Sequence, residues 1–333
     1  MASERRIFSG IQPTGHKHLG NYIGAIRQYV QGQDEGAPAI YCIVDLHAIT
    51  VPWDPTELRF NVLDTTAILL AAGLDPERCI LFRQSDVREH TELTWLLSAL
   101  TAWGDLNRMH QFKEKSGKQR ELVSAGLFFY PVLQAADVLA YRADTVPVGE
   151  DQRQHIELMR EIARRFNERF GEILVEPEHR IPEIGARIMD LQEPADKMST
   201  TGGTEQGTVL VLDEPEVVTK KIRSAVTDSG SEVRRAPDKQ GITNLIDVMA
   251  VASGITPEQV EGEFEGSGYG DFKTAVAAAV VEFLAPVRER FEEIRPDEAA
   301  LERALAAGAE RARVIASETL AEVRAAVGIG PAR

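Results

Sequence analysis

Apolar positions in the first half of the chain alternate between two spacings. Four short apolar runs of the kind that form buried strands cover 6–9, 39–44, 80–84 and 145–148. Each run precedes a longer segment with apolar residues at helical spacing; these segments begin near Asn21 and cover 55–72, 91–103 and 152–170. Such alternation predicts an α/β fold with a Rossmann-like parallel sheet covered by helices on both faces. Ligands of such sheets bind beyond the carboxyl ends of the strands.

The second half of the chain has a different pattern, which is almost purely helical after about Pro215. Thr256 begins a segment with the signature of a capping box and a proline at the first helical position. A last helix is predicted from about Pro296, because its apolar residues form one continuous stripe. We therefore predict two domains, an α/β catalytic domain over 1–215 and a helical domain over 216–333.

Composition and apolar runs indicate the compartment. The chain has 333 residues, of which 43% are hydrophobic and 27% charged, as in ordinary globular proteins. No apolar stretch approaches the roughly 20 residues that a membrane span needs, and the first residues lack the pattern of a secretory signal. Cys42 and Cys79 lie inside apolar runs and are predicted to be reduced core residues. These features predict a cytoplasmic protein without membrane contact.

The net charge of −15 argues against indiscriminate binding of nucleic acid, since phosphates would be repelled by the average field. An RNA partner would have to contact local basic patches. Three such patches contain Lys113, Lys115, Lys118 and Arg120; Lys220, Lys221 and Arg223; and Arg234 and Arg235. A solvated helix face is the more common explanation for any one of them.

A glycine-containing loop over 9–24 links the first predicted strand to the first helix. Its glycines allow close backbone approach to a ligand, and the helix start supplies free N–H groups that suit phosphate. It is not a P-loop, because the tripeptide at 20–22 is Gly-Asn-Tyr. The loop alone is equally compatible with a tight turn. A metal site at His16 and His18 is not favoured, because no third ligand is nearby in the sequence.

Two motifs carry a resemblance to a known family. His-Leu-Gly-Asn at 18–21 resembles the HIGH signature of class I aminoacyl-tRNA synthetases, in the variant used by tryptophan enzymes. Lys-Met-Ser-Thr-Thr at 197–201 resembles the KMSKS loop of the same class, with Thr200 in place of the second lysine. Two motifs in this order and separation are more specific than either alone. The resemblance to the bacterial tryptophanyl-tRNA synthetases extends over about 7–327, and it implies that the helical domain over 216–333 binds the anticodon of the tRNA.

The resemblance implies an activity. Such enzymes activate L-tryptophan with ATP and Mg²⁺, release pyrophosphate, and transfer the amino acid to tRNA(Trp); they are homodimers. In this family basic side chains flank the ATP phosphates, which places catalysis on His18, Lys197 and Lys115. The physical requirement is positioning and positive charge on the reacting phosphate, with no protein nucleophile. Thr200 removes one mobile positive charge from this arrangement.

A polar face is predicted on the helix that begins around Tyr130. Tyr130, Gln134, Asp137 and Tyr141 are spaced to share one face, with Pro131 expected in the first turn. A polar face usually means solvent exposure, although a carboxylate there can instead face a pocket and accept a hydrogen bond. The segment resembles the specificity helix of tryptophanyl-tRNA synthetases, in which the aspartate receives the indole N–H. Many relatives carry methionine at the position of Gln134.

The resemblance also implies ligand contacts for single residues. A lone histidine such as His47, and acidic residues in a first helical turn, more often have structural roles. The expected ATP-binding residues are Gln12, Thr14, Gly20, Asn21, Gly149, Glu150, Asp151, Ile188, Lys197, Met198 and Ser199. The expected tryptophan-binding residues are Phe8, Gln12, His47, Tyr130, Gln134, Asp137, Val146, Val148 and Gln152. No protein metal site is expected.

Two alternatives remain open at this stage. A tyrosine-specific relative shares the fold and both motifs, and Asp137 could accept a hydrogen bond from either amino acid. A non-catalytic paralogue acting as a tRNA-binding or regulatory module is also compatible with Thr200. The retained His18, Lys197 and Lys115 argue against that second alternative.

Overall fold

The computed structural model of the chain describes residues 5–109, 123–149, 152–180, 187–200 and 202–330. The predictions for Lys115, Glu150 and Asp151 therefore lie outside the described residues, as does the whole first basic patch. All other residues expected to bind ligands are described.

The centre of the fold is a parallel sheet. Its strands in the described residues are β1 (Ile7–Ile11), β2 (Ala39–Ile43), β3 (Ile80–Arg83), β4 (Thr145–Pro147) and β5 (Glu178–Arg180). Their order is β3-β2-β1-β4-β5, and every pairing is parallel. The chain thus reverses direction of winding between β1 and β4, which is the switch point where such sheets bind ligands. The predicted fold class and four of the strands are confirmed.

The helices of the first half cover the sheet. Those in the described part of the chain are α1 (Leu19–Asn21), a π-helical turn (Tyr22–Ile26), α2 (Arg27–Gln33), α3 (Asp45–Ala48), α4 (Pro55–Ala71), a 3₁₀ turn (Gln84–Asp86), α5 (Glu89–Ser98), α6 (Trp103–Asn107), α7 (Ala125–Leu139) and α8 (Arg153–Phe170). The segment predicted as one helix over 91–103 is in fact α5 and the separate α6.

Helix α7 corrects one prediction. Pro131 lies inside the helix and not in its first turn. The helix begins earlier because Ser124 caps it, with the Ser124 hydroxyl accepting the N–H of Leu127 at 3.1 Å. An interior proline removes one backbone hydrogen bond and disturbs the preceding turn. The apolar face of α7, buried against the sheet and α8, offsets that loss.

The chain after Pro215 is helical in the described residues, as predicted. Its helices are α9 (Pro215–Arg223), α10 (Gln240–Ser253), α11 (Pro257–Glu263), α12 (Tyr269–Ile294) and α13 (Glu298–Val327). The capping box at the start of α11 is present: Thr256 and Gln259 bond each other's backbone N–H groups. None of the described helices is long and apolar enough to cross a membrane.

A hydrophobic core lies on each face of the sheet. Successive residues of a strand point alternately into one core and then the other. Ile7, Tyr41 and Leu81 belong to the core shared with α2, α4 and α9 to α12. Phe8, Ile40, Cys42 and Phe82 belong to the core shared with α5, α7, α8 and α13. Both cysteines are buried and free. The later helices therefore contribute to the same cores as the sheet, and the domain boundary at residue 215 stays a prediction.

Helix α13 packs directly on β3. At Gly308 the helix approaches the strand so closely that an added Cβ would lie 1.8 Å from the carbonyl oxygen of Leu81. Glycine is therefore required there. The contact covers a strand that would otherwise be an open edge of the sheet.

The tryptophans lie on the outside of the fold. The sequence contains three, and the exposed fractions are 53% for Trp53, 74% for Trp95 and 68% for Trp103. The largest fully buried side chains are instead tyrosines and phenylalanines, such as Tyr29, Tyr41 and Phe82. The cores of the chain are therefore filled without an indole ring.

Candidate active site

The loop after β1 is held by a buried lysine. The ammonium of Lys17 donates to the carbonyl oxygens of Gln12 (2.7 Å) and Thr14 (3.3 Å), whose side chains remain exposed. Burial lowers the pKa of Lys17 to about 8, against the opposing effect of Asp64. Gly15 has φ of +59°, a left-handed conformation that favours glycine. The loop thus keeps a defined shape while it presents Gln12 and Thr14 outward.

His18 caps the helix that follows this loop. Its Nδ1 accepts the N–H of Asn21 at 3.3 Å, and the Asn21 side chain accepts the N–H of His18 at 3.1 Å. Burial and the nearby charges of Lys197 and Lys17 lower the pKa of His18 to about 4. The ring is therefore neutral near pH 7. Because Nδ1 is an acceptor, the proton lies on Nε2, which makes His18 a neutral hydrogen-bond donor.

The second motif lies against the first. Met198 is buried, and its N–H donates to the carbonyl oxygen of Ile188 at 3.0 Å. Ile188 in turn packs at Gly20, where an added Cβ would lie 3.5 Å from Cβ of Ile188. At Gly15 an added Cβ would lie 2.9 Å from Oγ1 of Thr200. The residue that replaces the second lysine of the motif therefore contacts the loop of His18.

Backbone hydrogen bonds join the two motifs as well. The N–H of Leu19 donates to the carbonyl oxygen of Val209 at 2.8 Å, and that of Val211 donates to Lys17 at 2.8 Å. The segment that leaves the 197–201 motif thus pairs with the segment that enters the 18–21 motif. The exposed Lys197 and the half-buried Ser199 are consequently brought to the side of His18.

A second group of site residues surrounds Asp137 on α7. His47, which follows β2, places its Nε2 at 2.7 Å from Oδ2 of Asp137. Gln84, which follows β3, donates to Oδ1 at 2.7 Å, and Nδ1 of His90 lies 2.6 Å from the same oxygen. Nε2 of His90 lies 2.7 Å from the hydroxyl of Tyr141. All five side chains are buried.

This network leaves Asp137 ionised. Burial raises the pKa of Asp137, but the charges and hydrogen bonds of His47 and His90 outweigh it and hold that pKa well below its usual range. A carboxylate can accept about four hydrogen bonds, and the described partners supply two at Oδ1 and one at Oδ2. Oδ2 can therefore accept one further hydrogen bond.

The neighbouring polar residues of α7 pair with α8. The hydroxyl of Tyr130 lies 2.9 Å from Nε2 of His155, and Tyr130 also presents its ring edge to His47. Burial raises the pKa of Tyr130, so its hydroxyl keeps its proton near pH 7. Gln134 donates to the side-chain oxygen of Gln152 at 3.1 Å. The predicted polar face of α7 thus points into the protein and not into solvent.

The strands contribute the apolar part of the site. Phe8 of β1 is buried and stacks on Tyr141, with ring centroids 5.3 Å apart. Val146 is buried in β4, and Val148 is half-buried just beyond that strand. Gly149 accepts the N–H of Gln152 at 3.0 Å, which sets the start of α8. All of these residues lie on or next to the strands that flank the switch point.

Sequence reasoning missed His90 and Gln84. Neither belongs to a motif, and His90 occupies an apolar position of α5, so only the fold brings them to Asp137. Two of the three candidate basic patches lie in the described residues, and each contains cations that pair with protein groups. Lys221 is buried and bonds the carbonyl oxygen of Thr208 and the carboxylate of Asp213, both at 2.8 Å.

The second of these patches is paired with acidic neighbours. Arg234 forms an ion pair with Glu232 at 3.0 Å, and Arg235 pairs with Glu258 and Glu261. Pairing leaves these guanidinium groups little net charge to attract phosphate. The patch at 234–235 is therefore paired with carboxylates, whereas the patch at 220–223 loses Lys221 to the interior and keeps Lys220 and Arg223 exposed.

Comparisons with known proteins agree with this geometry. Residues 2–285 match the family described as tRNA synthetases class I (W and Y). The chain is 51% identical to tryptophan–tRNA ligase 2 of Streptomyces avermitilis, with 100% of each protein covered. It superposes with a TM-score of 0.92 on tryptophanyl-tRNA synthetase of Mycoplasma pneumoniae, at 35% identity and 98% coverage of both chains.

A further solved structure has ligands in its description. The tryptophanyl-tRNA synthetase of Campylobacter jejuni, complexed with ADP and tryptophan, superposes with a TM-score of 0.81 at 34% identity and covers 97% of this chain and 100% of its own. Matches of this length and identity, together with the two joined motifs, establish the family. The chain belongs to the class I tRNA synthetases and, within them, to the bacterial tryptophanyl-tRNA synthetases.

Proposed function

We propose that the chain is a tryptophan–tRNA ligase that activates L-tryptophan with ATP and then transfers the amino acid to tRNA(Trp). The observation that carries the proposal is the junction of two motifs: the His18 loop contacts the Lys197 motif at Thr200 and is hydrogen-bonded to the segment that follows that motif. The relatives named as tryptophan enzymes support tryptophan over tyrosine as the amino acid.

In the first step a carboxylate oxygen of tryptophan attacks the α-phosphorus of ATP. The bond from that phosphorus to the bridging oxygen breaks, and pyrophosphate leaves with the electron pair. His18 is suited to donate a hydrogen bond through Nε2 without contributing charge, because its ring is neutral. Lys197 then supplies the positive charge that stabilises the negative charge developing on the phosphate oxygens.

Tryptophan recognition is assigned to the network around Asp137. The indole N–H is one donor, and Oδ2 of Asp137 has room for one more donor. Phe8, Val146 and Tyr130 supply buried apolar surface beside it. Phenylalanine offers no donor and would leave the buried carboxylate without this partner, which disfavours its binding.

Mg²⁺ is expected to enter with ATP. Among the described residues no group of three or more histidine, cysteine, aspartate or glutamate side chains is arranged to hold a metal ion. Mg²⁺ commonly binds through substrate phosphates and water, and it would supply further charge to the phosphates. This arrangement requires no metal cage in the protein. The cytoplasm, where ribosomes consume charged tRNA, is the proposed compartment.

A homodimer is proposed on an exposed apolar patch. Its candidate residues are the exposed Ile49, Trp95, Trp103 and Val123 together with the half-buried Phe128, whose ring lies 6.1 Å from that of Trp103. Exposed apolar patches rich in aromatic residues are typical of subunit interfaces. Light scattering after gel filtration should give the mass of two chains, and Trp95→Glu should give the mass of one. A parent protein of single-chain mass would refute the dimer.

The function is tested by ATP–pyrophosphate exchange with each amino acid in turn. We expect exchange with tryptophan alone. Exchange that depends on tyrosine would replace the proposal by the tyrosine-specific alternative, and absence of exchange would leave the non-catalytic alternative. Lys197→Ala should lower the rate about 100-fold or more, the order typical for loss of one group that stabilises transition-state charge. Lys220→Ala, which removes another exposed lysine, is the matched control and should leave the rate unchanged.

A further inference from the structure

A buried carboxylate lies at the centre of the loop that carries Lys197. Asp190 is only 1% exposed. Its Oδ1 accepts the N–H groups of Gln192 (2.8 Å) and Glu193 (3.1 Å), and its Oδ2 accepts the N–H of Thr204 at 3.3 Å. The first two bonds close a turn before Lys197, whereas the third crosses to the segment after the motif. One side chain thus joins both ends of the loop.

The backbone of Asp190 belongs to the same structure. Its N–H donates to the carbonyl oxygen of Asp196 at 2.9 Å. Next to it, Met189 and Lys197 form an antiparallel bridge. The peptide that carries Lys197 is therefore fixed against the peptide that carries the buried carboxylate.

Two glycines leave space for this carboxylate. An added Cβ at Gly207 would lie 1.8 Å from Oδ1 of Asp190; one at Gly203 would lie 2.7 Å from Oδ2 and 2.5 Å from the carbonyl oxygen of Ser199. Neither glycine has a left-handed φ. At Gly207 the backbone would therefore accept alanine, and the obstacle is the side chain of Asp190. The loop sequence is matched to the carboxylate and not to a special backbone conformation.

We propose that Asp190 is a positioning residue that orients Lys197 toward the ATP phosphates; the inference rests on the function proposed above. The motif lacks its second lysine, since Thr200 occupies that position. A single remaining cation must be placed accurately to act on the transition state. Asp190 does so through the backbone, because it ties the strand-like entry of the loop to its exit at Thr204.

The sharpest variant is Asp190→Asn. The amide oxygen can keep the bonds to Gln192 and Glu193, but the amide nitrogen then faces the N–H of Thr204, and two donors cannot bond. The change thus breaks the cross-loop bond and leaves the turn. We expect kcat for tryptophan-dependent exchange to fall about tenfold or more, the effect of one hydrogen bond to a charged group. KM for tryptophan should stay within about twofold, since Asp137 and its partners are untouched.

The matched control is Asp196→Asn. Asp196 is exposed on the same loop, and its described bonds to Asp190 and Glu193 use backbone atoms only. This variant changes the net charge equally and should leave kcat unchanged. An equal loss of kcat in both variants would show that charge, not the cross-loop bond, matters, and would overturn the proposal. An unchanged kcat in Asp190→Asn would overturn it as well.

A double-mutant cycle gives a second test. Gly207→Ala should lower kcat because its methyl group displaces the carboxylate of Asp190. In an Asp190→Ala background that obstacle is gone, so the same substitution should have little further effect. Additive losses would mean that Gly207 acts independently of Asp190, against the proposal. Thermal unfolding of each variant shows whether it is folded, and a purely structural role would change the melting temperature without this pattern in kcat.

Hydrogen exchange separates this proposal from the proposed function. The amide of Thr204 should exchange faster in Asp190→Asn than in the parent, and as slowly as the parent in Asp196→Asn, whatever reaction the protein catalyses. The parent could show no tryptophan-dependent ATP–pyrophosphate exchange while the amide hydrogen of Thr204 behaves as expected. The proposed function then fails, and the hydrogen bond of Asp190 across the loop is supported. If the amide hydrogen of Thr204 exchanges equally fast in all three proteins, the positioning role fails, and the ATP–pyrophosphate assay still decides the proposed function on its own.

Discussion

Replacement of Asp137 tests the recognition of tryptophan most directly, provided that the variant still folds. Asp137→Ala would leave three buried donors, on His47, Gln84 and His90, without their acceptor. Each unsatisfied group costs about 1–3 kcal/mol, so the sum is roughly 3–9 kcal/mol. Since whole domains are stable by only about 5–15 kcal/mol, alanine would test folding and not specificity.

Asp137→Asn preserves the shape and most of the bonds. The amide oxygen can take the place of Oδ1 toward Gln84 and His90, and the amide nitrogen then faces His47. A neutral histidine can carry its proton on the other ring nitrogen and accept a bond there. We therefore expect Asp137→Asn to fold, with its thermal unfolding as the check. What it loses is the charged acceptor for the substrate.

The expected loss follows from one hydrogen bond to an ionised acceptor. Such a bond contributes about 1.5–3 kcal/mol, so kcat/KM for tryptophan should fall about 10- to 150-fold. The parent should discriminate by a similar factor against tryptophan methylated on the indole nitrogen. In Asp137→Asn the two substrates should become nearly equal, because neither finds an acceptor. ATP–pyrophosphate exchange with both substrates measures all four values, with KM for ATP as the control.

Two results would refute the assignment. The parent could activate the methylated substrate as well as tryptophan, in which case no acceptor faces the indole nitrogen. Alternatively, Asp137→Asn could retain the parent's preference for tryptophan, in which case the donor is read by another group. Either result would leave Asp137 as a structural partner of His47 and His90.

Three further predictions concern pH, packing within the site and stability. The pKa of His18 is about 4 in the folded chain and 6.5 in an unfolded chain, so the unfolded state binds a proton first as the pH falls. Between pH 7 and 5 the parent should therefore lose about 2 kcal/mol of unfolding free energy through this group. Urea unfolding of His18→Gln should lack that loss. Gln134→Met removes the bond to Gln152 and should raise KM for tryptophan about 2- to 10-fold at nearly constant kcat, whereas an unchanged KM in the exchange assay would show that Gln152 is held by other contacts. Gly308→Ala forces a methyl group onto the carbonyl oxygen of Leu81 and should destabilise the chain by about 1–3 kcal/mol; an unchanged urea midpoint would contradict the close packing of α13 on β3.

Much of the fold could be predicted from the sequence because its strands are apolar and its helices periodic. Strand β5 was missed because its residues, Glu178–Arg180, are polar and exposed or half-buried at the edge of the sheet. An edge strand of three residues has no apolar pattern by which to find it. The early start of α7 was missed for a related reason: Pro131 is a strong local signal for a first turn, and packing of the whole helix overrode it.

The site could be predicted where residues belong to motifs, and not where the fold alone assembles them. Asp137 and His47 were named from sequence, but their bond joins residues 90 positions apart. The burial of two lysines could not be predicted from the sequence either. Lys17 and Lys221 are charged in sequence, yet each is buried on backbone carbonyl oxygens. Only the three-dimensional paths of the loops supply those acceptors.

The exposed positions of Trp53, Trp95 and Trp103 have a consequence for the synthesis of the protein itself. A tryptophan–tRNA ligase requires charged tRNA(Trp) for its own translation, because the chain contains three tryptophans. A wrong amino acid at one of them alters the surface of a subunit, including the proposed dimer contact, and leaves both cores filled as before. Chains in which another amino acid replaces one of these tryptophans should therefore still fold.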